Sequence, residues 1–285
     1  MSTSMNMNMN SGAGAQRQAV MTLREVTFAY PGGGVVVDGV SATVAAGAIT
    51  ALIGPNAAGK STLIHLMLGH LRPVKGKVLI DDRTVTGLSA RQRAQWISYV
   101  PQRTGASLAF SVRQVIAMGR FVMEEDRAAV EQAAEACEVA DLMGRVFDEL
   151  SVGQQQRVLL ARAVAQSQGS GRLMLLDEPT SGMDLAHVHR TMAMLRRIAA
   201  TGLAVVVVMH DLNLAARYGD AVWLMDRGRL AAAGQWQSVL RRELLESVYG
   251  IGLTVSMEGA EAAAGGTGAP GGAAARPRFE VRTED

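Results

Sequence analysis

The sequence predicts an α/β fold: a mostly parallel sheet flanked by helices, with an N-terminal antiparallel β-subdomain and an inserted α-helical subdomain. Three observations predict it. Short, wholly apolar runs alternate with helical patterns, as strands buried on both faces of a parallel sheet require. Two early runs instead alternate apolar and polar residues, the pattern of half-buried antiparallel strands. From Ser111 to Leu150 the pattern is helical almost throughout, which interrupts the alternation of strand and helix.

In order along the chain, TLREVTFAY (22–30) and VVVDGVSATV (35–44) are the antiparallel strands. AITALIG (48–54) is a buried strand and KSTLIHLMLGH (60–70) a helix. GKVLIDD (76–82) and WISYVPQ (96–102) return to strand. Beyond the helical stretch come a helix from Ser151 to about Gln168 and a buried strand, RLMLLD (172–177). A helix over 185–200 leads to another buried strand, AVVVVMH (204–210). AVWLMDRGRLAAAG (221–234) reads as a hairpin turning at Arg227-Gly228, and the last helix spans 236–249. The expected organisation is a disordered tail over 1–20 and one domain over 21–257, its helical insertion at about 103–168. A low-complexity tail follows over 258–285, opening on a Gly/Ala linker and closing on RPRFEVRTED, which has the pattern of a short strand.

Composition narrows the function. The 285 residues are 48% hydrophobic, enough for one substantial core. Lys and Arg number 28 against 26 Asp and Glu, so there is no basic field for nucleic acid or anionic lipid. A single cysteine, Cys137, excludes an internal disulfide and fits a reducing cytosol; within a helical pattern it reads as inert packing. The most apolar stretch, LAVVVVM (203–209), is about a third of the roughly 20 residues a membrane-spanning helix needs. The first twenty residues lack the apolar block of a signal peptide.

GPNAAGKS (54–61) fits G-x-x-x-x-G-K-S/T between a buried strand and a helix, the setting a phosphate loop needs. Gly54 and Gly59 let the backbone curl around Pro55, Asn56, Ala57 and Ala58 so that successive N–H groups point inward. The helix starting near Gly59 adds its positive end. Lys60 then reaches the β- and γ-phosphates, Ser61 gives a hydroxyl to Mg²⁺, and Thr62 contacts the α-phosphate. The competing reading is a glycine-rich turn that binds nothing. In LMLLDEP (173–179) a buried strand ends on two carboxylates. Asp177 is placed to hold Mg²⁺, and Glu178 to orient or deprotonate an attacking water. The alternative is a strand-end pair that caps the turn before Pro179.

LSVGQQQRV (150–158), taken alone, is a helix start with Ser151 as N-cap and Gly153 in the first turn. Taken with GPNAAGKST, VPQ and LMLLDEP, in that order and followed by a histidine, it resembles the signature of the ABC ATPase family. The resemblance runs from about Thr22 to Val255 and implies a P-loop ATPase core that uses ATP and Mg²⁺. It implies that Tyr30 stacks on adenine and that Gln102 contacts Mg²⁺ and senses the γ-phosphate. Ser151, Gly153 and Gln154 would meet the nucleotide bound to a second copy of the chain, and Asp184 of SGMD would bridge the two copies. His210 would hold the γ-phosphate and the attacking water. Ordinary edge packing for Tyr30 and a core position for His210 stay open beside these roles, while His187 and His189 read as surface residues.

A second copy has a physical motive. The loop and Glu178 cover one side of a triphosphate, and a helix start with free N–H donors can cover the other only if another subunit presents it. Two departures from the family stand out: Ala57 and Val152 occupy positions where glycine is usual. Alanine is a mild change if the backbone there avoids positive φ, whereas Val152 is bulkier and β-branched.

The resemblance further implies a motor for separate integral-membrane permease subunits, bound peripherally at the cytoplasmic face of the inner membrane. An extracytoplasmic substrate-binding protein would be an indirect partner, and no nucleic acid is expected. A soluble ABC ATPase acting on ribosomes or DNA is the alternative, but such proteins usually carry two cassettes or a long coiled-coil insertion. An unrelated P-loop kinase is the third reading. ISYVPQ, FSVRQVIAMGR and HDLNLAARYGD are similar to ATPases of importers for ferric siderophores, haem and cobalamin. AVAQSQGSGRLMLLDEP is most similar to the haem and cobalamin members. The expected cargo is an iron chelate or haem, with cobalamin as the alternative. Leu108, Ala109 and Phe110 interrupt a polar stretch after Gln102 and are expected to line a groove for a permease helix; the alternative places Phe110 in the subdomain core.

Overall fold

The computed structural model describes residues 17–102, 109–258 and 276–282. Its centre is a six-stranded sheet in the order β10-β9-β3-β8-β7-β6. The strands are β3 (Ile49–Ile53), β6 (Ile97–Val100), β7 (Leu173–Asp177), β8 (Ala204–Val208), β9 (Ala221–Asp226) and β10 (Arg229–Gly234). All neighbours pair in parallel except β9 and β10, the hairpin expected at Arg227-Gly228. The wholly buried strands β3, β7 and β8 are the three short apolar runs of the sequence.

Alternate residues of this sheet feed two separate cores. Ile49, Ala51, Met174, Leu176, Val205 and Val207 point to one, together with α5 (Val152–Ser167) and α6 (Leu185–Ala200). Leu52, Leu173, Leu175, Val206 and Val208 point to the other, shared with α1 (Lys60–Met67). That second core also takes the inner face of an antiparallel sheet in the order β2-β1-β4-β5. Its strands are β1 (Ala19–Ala29), β2 (Val35–Ala45), β4 (Lys75–Ile80) and β5 (Arg83–Thr84). Burial on both faces explains why the central strands carry no alternation in sequence.

Several expectations change. The helix after the phosphate loop stops at Met67 instead of continuing to residue 70, because Gly69 turns left-handed at φ 71°. The stretch 111–150 is not one continuous helical run. It holds α3 (Val112–Ala117), α4 (Arg127–Ala136) and single 3₁₀ turns. Ser111 and Asp126 each accept a hydrogen bond from a backbone N–H three residues on, and so restart the chain as N-caps. The expected helix over 236–249 breaks into α8 (Trp236–Val239) and α9 (Arg242–Tyr249).

Two short helices were not foreseen, α2 (Ala90–Trp96) and α7 (Leu212–Tyr218). The signal for α2 was present as Ser89 and Gln92, which form a capping box. At the C-terminus, β12 (Arg276–Val281) pairs antiparallel with β11 (Leu253–Glu258), a strand whose pairing partner lies across the Gly/Ala stretch. The first sixteen residues and that linker lie outside the described residues.

Candidate active site

Four strands of the central sheet end at the same edge, and each delivers one part of the site. β3 runs into the phosphate loop, β6 into Gln102, β7 into Asp177 and Glu178, and β8 into His210. The register aligns them: Val100 lies opposite Leu176, and Asp177 opposite Val208. Ligands of open parallel sheets sit beyond the carboxyl ends of the strands.

The loop from Gly54 to Gly59 is enclosed from behind. The N–H of Gly228, in the β9–β10 turn, donates to the Ala58 carbonyl at 3.0 Å. A Cβ on Gly54 would fall 2.3 Å from the Met225 carbonyl oxygen, so glycine is obligatory there. Gly59 caps α1 at φ 99°, a conformation that favours glycine for a second reason. Ala57 also has positive φ, 62°. The condition under which alanine would be a mild change is therefore not met, and the loop carries left-handed strain of about 1 kcal/mol at this position.

Lys60 is 7% exposed, and its Nζ donates to the carbonyls of Gly54 (2.7 Å) and Pro55 (2.8 Å). Burial lowers its pKa, while Glu178 and Asp177 pull it back up. Asp177 is 4% exposed, and its Oδ1 has no hydrogen-bond partner. Burial raises its pKa, against a hydrogen bond from the Ser61 side chain. A buried, unsatisfied carboxylate oxygen beside a hydroxyl and a lysine suits a hard cation that takes few protein ligands and completes its shell with phosphate and water. Among the described residues no group of three or more His, Cys, Asp or Glu could hold a metal by itself.

Glu178 is gripped from both sides. Gln102 Nε2 donates to its Oε2 at 2.7 Å, and His210 Nε2 lies 2.5 Å from its Oε1. Its backbone sits at φ 52°, the kind of outlier that collects at functional sites. His210 is half-exposed at the strand end and not in the core. Tyr30 is 45% exposed, edge-on to Phe28, with its hydroxyl 3.5 Å from that of Thr62.

The structure divides the sequence-derived residues into two groups. Ser151 caps α5 through a reciprocal capping box with Gln154. Ser151, Val152, Gly153 and Gln154 share a 380 Å³ cavity with Gly182, Met183 and Asp184, and no phosphate-loop residue lines it. Val152 is 71% exposed. Asp184 caps α6, accepting from the His187 N–H at 2.8 Å and pairing with His187 Nδ1 at 2.7 Å. These bonds hold its carboxyl below the usual range.

His187 is thus part of this second region, a role that reading it as a surface residue missed; its spacing of three from the cap was the available signal. His189 is also engaged, 2.9 Å from the Tyr218 hydroxyl. Beneath them, Arg157 donates to the Glu138 carbonyl, and Arg190 pairs with the Glu138 carboxylate.

With this geometry in place, comparison with known proteins settles the family. Residues 37–181 match the sequence profile described as ABC transporter. The chain belongs to the ABC transporter family. A hemin import ATP-binding protein, HmuV, of Pseudomonas fluorescens is 41% identical over 230 residues, covering 79% of this chain and 90% of that protein. HmuV of Streptomyces coelicolor is 43% identical over 224 residues, covering 76% of this chain and 79% of its own length. Among solved structures, a metal-chelate type ABC transporter in an inward-facing conformation superposes with a TM-score of 0.76 at 25% identity. The match covers 94% of this chain and 99% of that one. The chain is an ABC-type ATPase with the P-loop α/β fold that its sheet displays.

Proposed function

We propose that this chain is the ATP-hydrolysing motor subunit of an importer for haem or a ferric siderophore. The observation that carries the chemistry is the convergence of Gln102, Glu178 and His210 beside the phosphate loop. The loop amides from Gly54 to Gly59 and the start of α1 bind the triphosphate. Lys60 exchanges its two carbonyl partners for the β- and γ-phosphates, and Tyr30 offers its exposed ring to adenine. Ser61, Asp177 and Gln102 would hold Mg²⁺, which supplies charge neutralisation on the phosphates. Glu178 accepts a proton from the attacking water, and His210 orients that water and the γ-phosphate.

Ser151, Gly153, Gln154 and Asp184 act in trans, on the nucleotide held by a second copy. The exposed cavity they line, apart from the loop, supports this reading. ATP then joins two subunits, and hydrolysis releases them. Integral-membrane permease subunits are the load, with an extracytoplasmic substrate-binding protein upstream. Among the described residues no helix is long and apolar enough to cross a membrane. We place the chain peripherally at the cytoplasmic face of the inner membrane. The helical insertion at about 103–168 is the permease-facing part of the 21–257 domain. Ala109 and Phe110 are exposed there, as are Met118 and Phe121, the last to 90%, while Leu108 lies outside the described residues.

The cargo rests on the HmuV relatives and the metal-chelate transporter. The test is ATP hydrolysis by the chain reconstituted with its permease and binding protein. Stimulation by haem or a ferric chelate is expected. Stimulation by cobalamin alone would overturn the cargo assignment, and membrane-independent behaviour the transport assignment.

A further inference from the structure

His210 occupies the middle of a three-residue connector, 209–211, between β8 and α7. On one side its backbone is fixed, with the Met209 N–H donating to the Leu52 carbonyl at 3.0 Å. On the other side begins α7, capped by Asp211, which accepts from Asn213 N–H at 2.7 Å and Leu214 N–H at 3.1 Å. A seven-residue helix is marginal without tertiary support. The support comes from the far end of the chain. The Asn213 side chain pairs with the backbone of Phe279 in both directions, Oδ1 accepting from its N–H (2.7 Å) and Nδ2 donating to its carbonyl (3.2 Å). Arg276 donates to the Ala216 carbonyl in the last turn of α7, where a cation meets the negative end of the helix, and its guanidinium lies 5.1 Å from the Trp236 ring centre. Phe279 is buried in the core between these two contacts.

From this we propose that β12 is a positioning element for hydrolysis: it clamps α7 at both ends and so holds His210 against Glu178. The proposal rests on the roles given above to His210 and Glu178. It makes Asn213 and Arg276 positioning residues, neither touching the nucleotide, and gives the C-terminal strand a part in the ATPase cycle.

The test is a double-mutant cycle in single-turnover ATP hydrolysis by the full chain, with Asn213→Ala, His210→Ala and the double variant. Asn213→Ala should slow hydrolysis roughly 5- to 10-fold, leave ATP affinity within about twofold, and add nothing in the His210→Ala background. Asn213→Asp, which keeps the acceptor for the Phe279 N–H, should recover part of the rate. Equal losses in both backgrounds would mean that the strand only stabilises the fold. An undiminished rate in Asn213→Ala would mean that α7 holds without it. Either result overturns the proposal. If His210→Ala itself hydrolyses normally, the fault lies in the role given to His210, and the positioning proposal falls with it. If Asn213→Ala loses its cooperative thermal transition, Arg276→Met takes its place in the same cycle, since it keeps its stem beside Trp236 and loses only the bond to Ala216.

Discussion

The phosphate-loop region and the signature region use the same device, the positive start of a helix with charged groups close by, and they differ in how far the chain itself completes it. Around the loop, Lys60 is buried and bonded to two carbonyls, Gly228 braces Ala58, and Glu178 is held by Gln102 and His210. Around Ser151 the cap is closed, but Val152 stands out in solvent and no phosphate-loop residue lines the cavity before it. On the proposed function, the region finished within one chain carries binding and chemistry, and the region left open carries assembly.

Changes on the finished side should therefore alter the chemistry of each subunit, and changes on the open side the pairing of subunits. The largest effect is expected for Glu178→Gln. It should slow hydrolysis at least roughly 100-fold with ATP binding retained, because the base is lost while the cation ligands remain. Near-normal turnover would remove Glu178 from that role. Lys60→Ala should weaken MgATP binding by about 10- to 100-fold, measured by calorimetry, as charge-assisted bonds to phosphate disappear. Unchanged affinity would place the phosphates elsewhere.

Asp177→Asn separates stability from function within the finished side. The folded pKa of Asp177 is raised, so the native state binds its proton more tightly than the unfolded state does. Its contribution to stability is therefore lost as pH rises through the carboxylate range. Asp177→Asn should raise the melting temperature of the nucleotide-free chain at neutral pH while abolishing Mg²⁺-dependent hydrolysis. A lower melting temperature would show that the charge is compensated in the free protein.

On the open side, Ser151→Ala removes an N-cap and should cost about 1 kcal/mol in denaturant unfolding, with ATP affinity of the single subunit unchanged. A loss of that affinity would place the signature in the same subunit's site. The smallest effect belongs to Ala57→Gly, which relieves a φ of 62° against greater freedom in the unfolded chain. A gain of under about 1 kcal/mol is expected.

The same contrast governs what the sequence revealed. Phosphate-loop spacing, the Asp177-Glu178 strand end and the apolar runs of β3, β7 and β8 are local patterns, each set by one element's own chemistry, and the structure shows those elements where the sequence puts them. What stayed hidden depends on residues far apart in the chain. Gly228 behind Ala58, and Asn213 on Phe279, are contacts between segments 170 and 66 residues apart. The breaks in 111–150 leave no clear mark because α3 and α4 bury Ile116 and Val130 and two of the 3₁₀ turns bury Leu142 and Phe147, so apolar residues recur at helical spacing across the N-cap at Asp126 that restarts the chain. The strain at Ala57 is a backbone angle, which no residue type other than glycine announces.

The most direct measurement is the molar mass of Glu178→Gln by light scattering, with and without saturating MgATP. The account predicts a monomer without nucleotide and a doubled mass with it, reverting to monomer when Ser151→Arg is added to block the open face. A mass that stays monomeric in MgATP, or a dimer indifferent to Ser151→Arg, would contradict a nucleotide shared between two chains.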